Sequence, residues 1–291
     1  RGFRVAPTTS YFGNKTMKPK GFDYLKVATS TEAVGALADG GDDARIIAGG
    51  MSLVPMLNFR LAEPRILIDI SKSDSMNYIQ ADGGALEIGA STRQAQLERW
   101  DQLADQLPLV KAALPFIGHY QTRARGTVCG SLAHADPSSE LPLCLATLGG
   151  EVVLRSKIGD RVLSADEFQT GMLSVAKRPD EMVAAARFPV KKPGEGYAFT
   201  EMAQRRGDFA IVALAAVALA GKIRLGVGGV ADKPVVREWD VLDGAALDDA
   251  LNEFAWDLGG YDDIHATARY RRELVRRLGR RVIEEAVSCR D

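Results

Sequence analysis

From Phe22 onward the alternation of apolar and polar positions changes every few residues. "FDYLKVA" (22–28) reads as a strand or entry loop, "STEAVGALADG" (30–40) as a helix opened by Ser30 or Thr31 and closed by Gly40, and "ARIIAGG" (44–50) as a strand ending in a glycine pair. Two more strands follow, "RILIDI" (65–70), set off by the helix-breaking Pro64, and "ALEIGAS" (85–91). Between them and Ile117, Leu97, Trp100, Leu103 and Leu107 fall at helical spacing until Pro108 interrupts. "LPLCLATL" (141–148) is an apolar helix closed by Gly149 and Gly150, with the strand "EVVLRS" behind it. The longest apolar run, "FAIVALAAVALAG" (209–221), is predicted to be a buried core helix starting at Phe209. It falls well short of the roughly 20 residues of a membrane span. The last helix, "HATARYRRELVRRLGRRVIEEAV" (265–287), places Leu274, Leu278 and Val282 on one face and arginines on the other, a solvated basic face. Short strands and helices are interspersed throughout, which predicts an α+β protein of more than one domain.

Composition narrows the chemistry. The chain has 291 residues, 46% of them hydrophobic, enough for two or three compact units. Lys and Arg number 37 against 38 Asp and Glu, a net charge of -1 that gives no reason to expect nucleic acid or an acidic membrane as partner. Three cysteines (Cys129, Cys144, Cys289) lie too far apart for a CxxC motif and are too few for an iron–sulfur cluster, which takes about four. They read as reduced thiols in a cytoplasmic protein. Three histidines (His119, His134, His265) without ligand spacing make a zinc site unexpected. Redox chemistry would therefore need an organic cofactor or another chain. Residues 1–16 read as a tag or leader, with Met17 as the native start.

Neither G-x-G-x-x-G after a strand nor G-x-x-x-x-G-K-[ST] occurs. Two other glycine-rich loops do, "AGGMSL" (48–53) and "RARGTVCGSLAHADP" (123–137). Each passes from a regular element into a turn that bares successive backbone N–H groups, the concavity in which anionic oxygens sit. Glycine suits such a place because a Cβ would block the backbone's approach to a phosphate or forbid a positive φ. Ser52 and Ser131 add hydroxyl donors, while Asp136 and Glu140 are acceptors suited to ribose hydroxyls. Taken singly each loop is an ordinary turn; facing each other, they could hold a pyrophosphate without a lysine.

"AGGMSLVPMLNFRLAEPRILIDIS" and "IGHYQTRARGTVCGSLAHADPSSELP" resemble the two signature loops of the FAD-binding medium subunits of molybdenum hydroxylases, the xanthine dehydrogenase and carbon monoxide dehydrogenase family. "RRGDFAIV", "GVGGVADKPV" and "YRRELVRRLGRRVIEEA" resemble blocks of that family's C-terminal domain. The resemblance implies a vanillyl-alcohol-oxidase-type (PCMH-like) FAD-binding domain over 17–176, in subdomains of about 17–72 and 73–176. A C-terminal α+β flavoprotein domain over 177–291 follows, with a hinge at "KKPGEGY" (191–197). It also implies site residues. Backbone N–H groups of Ala48, Gly49, Gly50, Met51, Ser52 and Leu53, and of Thr127, Cys129, Gly130 and Ser131 beside Gly126, would bind the pyrophosphate. Glu140 would take the ribose, with Asp136 near it. Ile117, Gly118, Thr122 and Val183 would line the cofactor, and Glu201 and Asp208 would close the isoalloxazine pocket, Asp208 doubling as N-cap of the helix at Phe209. The chain departs from the family in three ways. Met51 stands where Gln or His is frequent, neither Thr200 nor Glu201 is the lysine of some relatives, and Cys129 replaces a glycine. A positive φ at Cys129 would cost roughly 1 to 3 kcal/mol.

The function implied is that of an electron-transfer subunit. A large subunit carrying molybdopterin oxidises the substrate, two [2Fe–2S] clusters on a small subunit relay the electrons, and FAD on this chain passes them to an external acceptor. No nucleophile or general-base constellation is evident, and no catalytic or metal-ligating residue is expected. Two alternatives are a self-contained flavin oxidoreductase and a ligand-binding module of the same fold that has lost FAD.

Overall fold

A computed structural model of the chain describes residues 18–290; the expected leader and Met17 lie outside them. The first unit is a three-stranded parallel sheet of β1 (Asp23–Lys26), β2 (Ala44–Ile47) and β3 (Ile66–Asp69), ordered β1-β3-β2. Parallel neighbours need crossovers, supplied by the helices Ser30–Gly40 and Leu53–Asn58. The cap of the former is Thr29 rather than Ser30 or Thr31: its hydroxyl accepts from the Glu32 N–H at 3.2 Å, and the Glu32 carboxylate accepts from the Ala28 N–H. Ala33, Val34 and Leu37 of this helix pack on Ala44, Ile68 and Ile70.

The second unit is a five-stranded antiparallel sheet. Its members are β4 (Ile79–Asp82), β5 (Ala85–Gly89), β6 (Glu151–Ser156), β7 (Gly159–Ser164) and, after the small hairpin β8 (Gln169–Gly171) and β9 (Ser174–Val175), β10 (Met182–Pro189). β10 sits at the centre, between β5 and β6. The second subdomain therefore runs past 176 to Pro189, because its middle strand is the last to be made. The stretch around Lys177, where the resemblance implied the start of the C-terminal domain, is a turn that joins β9 to β10 within this unit. The long helix expected between Gln94 and Ala113 is three short ones, Gln94–Glu98, Leu103–Gln106 and Pro108–Ala113. Leu97, Leu103 and Leu107 are buried as their spacing predicts, but the chain turns at Arg99–Gln102 and restarts with Pro108 at the first helical position.

The third unit is a four-stranded antiparallel sheet of β11 (Gly196–Met202), β12 (Val212–Ala218), β13 (Lys222–Gly228) and β14 (Val235–Asp240). The run expected to be a helix at Phe209 is the strand β12. All seven of its residues are buried, because the helices Gly244–Asp257 and Ala268–Ser288 cover one face of the sheet and Pro108–Ala113 and Glu140–Leu148 cover the other. A strand covered on both faces loses the alternation that distinguishes strand from helix. Its alanines let the layers approach: a Cβ on Gly226 of β13 would strike the Thr147 hydroxyl, and one on Gly196 of β11 the Ala286 carbonyl. The expected basic face of the last helix is largely engaged. Arg280 pairs with Asp248 and Glu284, Arg281 donates to Thr200, and Arg271 is buried.

Candidate functional site

The three units meet around one cavity of about 730 Å³, within the usual range for small-molecule sites. Its walls are the turn after β2, the segment from Ile117 through the helix Val128–His134, the start of the helix Glu140–Leu148, the start of β10, and Gly207–Phe209 from the third unit.

The two glycine-rich loops face each other across it. A Cβ on Gly49 would collide with the Arg125 carbonyl, so the loops are in backbone contact. Gly50 has φ +73°, a conformation natural to glycine, and a side chain there would press on Val54. Among the described residues the N–H groups of Gly49 to Leu53 and of Cys129 donate to no protein acceptor. The Gly130 N–H is capped by the Thr127 hydroxyl at 3.0 Å. Backbone groups left bare around a concave wall form a preorganised anion cradle.

Every residue expected in the site lines this cavity except Asp136 and Glu201. The Asp136 carboxylate is turned into its own loop, where it accepts from the Ser138 N–H at 2.8 Å. Glu201 lies on β11 behind the wall, and one of its carboxylate oxygens is buried without a partner. Burial pushes its carboxyl up to about 8, with a contribution from the charge of Glu140. Glu140, 8% exposed at the start of its helix, is itself pushed up to about 7, mainly by burial. Cys129 lies inside a helix rather than at a positive φ, so the strain it could have carried is absent. Its thiol donates to the Ile88 carbonyl at 3.4 Å, and burial raises its pKa to about 12, so it is an inert packing group. Met51 is at the rim, with its backbone in the cradle. Asp208 caps no helix; its carboxylate receives the Arg205 guanidinium at 3.1 Å and Phe209 beside it is 71% exposed.

Sequence reasoning passed over several wall residues. Arg45 and Lys177 place positive charge on the cavity, with their donors directed at backbone carbonyls of Asp42, Ala44, Arg178 and Glu181. Burial, then the charge of Arg45, lowers the pKa of Lys177. Gln94 presents a buried side-chain oxygen that has no partner in the described protein. Leu173, at the tip of the β8–β9 hairpin, reaches the wall with φ +52°, and its N–H donates to the carbonyl of Ala135, whose φ is +50°. Two non-glycine residues in the left-handed region beside one cavity mark a place where the surrounding structure holds the backbone in strain. None of them left a sequence signal that tied it to the cavity. Among the described residues no group of histidines, cysteines and carboxylates could hold a metal ion, and no helix is long and apolar enough to cross a membrane.

The family model "FAD binding domain in molybdopterin dehydrogenase" matches residues 20–191. The chain belongs to that family. A second family model, "CO dehydrogenase flavoprotein C-terminal domain", matches residues 197–286. The "6-hydroxypseudooxynicotine dehydrogenase complex subunit alpha" of Paenarthrobacter nicotinovorans is 34% identical over 93% of this chain and 96% of its own length. The "Carbon monoxide dehydrogenase medium chain" of Afipia carboxidovorans is 33% identical over 93% and 98%. Among solved structures, a chain of a Cu,Mo-CO dehydrogenase superposes with a TM-score of 0.88 at 32% identity, covering 93% of this chain and 99% of that one. A chain of quinoline 2-oxidoreductase from Pseudomonas putida 86 gives 0.85 at 31% identity, covering 93% and 98%. As a molybdopterin-dehydrogenase FAD subunit, the chain is part of an oxidoreductase, has the family's α+β architecture and carries its FAD-binding domain. Its relatives are subunits of larger complexes.

Proposed function

We propose that this chain holds FAD in the cleft between its three units, accepts electrons from [2Fe–2S] clusters of a partner subunit and delivers them to an external acceptor, while a molybdopterin-bearing subunit oxidises the substrate. The observation that carries the reading is the pair of touching loops with N–H groups unclaimed by the protein. The residues fit the cofactor. A diphosphate would sit on the N–H groups of Gly49 to Leu53 and of Cys129, in loops whose packing on Arg125 and Val54 a side chain at Gly49 or Gly50 would disturb. Glu140 and the free oxygen of Gln94 are acceptors for ribose or ring N–H and O–H groups. Arg45 and Lys177 supply countercharge on the cavity wall.

Bound there, FAD supplies one- and two-electron redox chemistry, for which the described side chains provide no metal cluster as substitute. The chain's own part is to bind, orient and shield. The buried thiol of Cys129 and the apolar Ile117 and Val183 exclude water from the wall. Gly207 to Phe209 bring the third unit over the opening. The test is to purify the chain with its co-expressed neighbours and determine flavin, iron and molybdenum. The reading expects FAD on this chain and the two metals on others; a flavin-containing complex free of both metals would overturn it.

A further inference from the structure

A second recess lies on the outer side of the two loops. It measures about 130 Å³ and is lined by Ala48, Gly49, Ser71, Lys72, Ser91, Arg93, Arg125 and Thr127. Three of these are cations from three separate segments: the turn after β3, the strand-like residue before the helix Gln94–Glu98, and the second glycine-rich loop. Among the described residues none of Lys72, Arg93 and Arg125 makes an ion pair or a side-chain hydrogen bond. Elsewhere the chain pairs its arginines freely: Arg123, Arg155, Arg161, Arg187 and Arg224 each hold a carboxylate.

The backbone beneath the three is fixed. Arg93 and Thr127 form a β-bridge, the Gln94 N–H donates to the Gly126 carbonyl at 2.8 Å, and the Val128 N–H donates to the Thr92 carbonyl at 3.1 Å. Gly49 abuts the Arg125 carbonyl, and the Ser71 N–H is held by Asp69 at 2.8 Å. All three are solvent-exposed, and three like charges lining one recess without a carboxylate partner favour an anion there. The recess is too small for a nucleotide but accommodates a single tetrahedral oxyanion, with Ser71 and Thr127 in its lining beside the three cations.

We propose that Lys72, Arg93 and Arg125 form a binding site for one phosphate-class oxyanion, adjoining the FAD cavity, with which the recess shares Ala48, Gly49 and Thr127. The ligand is either a free inorganic oxyanion or the terminal phosphate of a larger molecule whose remainder stays in solvent. The test is calorimetric titration of the flavin-loaded chain with inorganic phosphate, and separately with a phosphomonoester such as glycerol 1-phosphate, at constant ionic strength in chloride. Saturable binding below about 10 mM is expected, weakened about tenfold or more by Arg93→Gln or Arg125→Gln and unchanged by Arg269→Gln on the remote C-terminal helix. Phosphate binding without phosphomonoester binding assigns the site to the free ion, and binding of both to the larger class. Absence of saturation for both, or equal affinity in the recess variants with unchanged circular dichroism, would overturn it. The site needs no flavin: on flavin-free protein, where phosphate can also occupy the cradle of the two loops, only the binding that Arg93→Gln or Arg125→Gln weakens belongs to the recess, which keeps its outcome separate from that of the FAD reading.

Discussion

The side chains that break the family pattern separate into inert and consequential ones. Cys129 and Cys144 are buried thiols whose pKa is raised, in both cases chiefly by burial, while Cys289 is exposed. Titrating the native protein with a chromogenic disulfide should therefore read about one thiol per chain, rising to three on denaturation; rapid reaction of a second thiol would contradict the packing of Cys129. Glu201 is the consequential substitution. Its carboxyl, and that of Glu140, are pushed up to about 8 and about 7, so both bind protons more tightly in the folded chain than in the unfolded one. The stability they add is fully present below about pH 4 and is lost as pH rises through 7 to 8. The flavin-free protein should melt several degrees lower at pH 8.5 than at pH 6, and Glu201→Gln, neutral at all pH, should flatten that difference. An unchanged pH profile in the variant would show that Glu201 ionises freely.

At the scale of elements, the third unit depends on one buried cation. Arg271 donates to the Ile211 and Gly229 carbonyls at 2.6 and 2.8 Å and to Asp263 at 2.6 Å, with its guanidinium 4.4 Å from the centre of the Tyr261 ring. It thereby ties the last helix to the start of β12 and the end of β13. Arg271→Ala should cost about 3 kcal/mol or more in denaturant unfolding, since it strands two carbonyls and a carboxylate, and Arg271→Lys should not restore the loss because an ammonium lacks the planar fork. The sequence pointed to a solvated arginine face here, because an arginine row has the same pattern whether or not one member turns inward. β12 was hidden for a related reason: a fully covered Ala- and Val-rich strand shows no period of two. By contrast β2, β3, the helix Ser30–Gly40 and the helix Glu140–Leu148 were legible, since each is bounded by glycine or proline.

For the whole molecule, the cradle was legible because glycine pairs at strand and helix ends leave a local trace. The charges of Arg45 and Lys177, the free oxygen of Gln94 and the hairpin tip at Leu173 were not, since they reach the cavity only through tertiary folding. Assembly brings segments from three units onto one cleft, so flavin binding should bridge the units and raise the unfolding temperature in proportion to the logarithm of free FAD above its dissociation constant. The central claim is that the bare backbone of the two loops holds FAD. Its most direct measurement is equilibrium titration of flavin-free protein with FAD, followed by flavin fluorescence, for the unaltered chain and for Gly50→Val with its fold checked by circular dichroism. The account expects about one FAD per chain for the former and at least a hundredfold weaker binding for the latter, whose side chain would strain a φ of +73° and crowd Val54. Equal affinity in a folded Gly50→Val protein would contradict it.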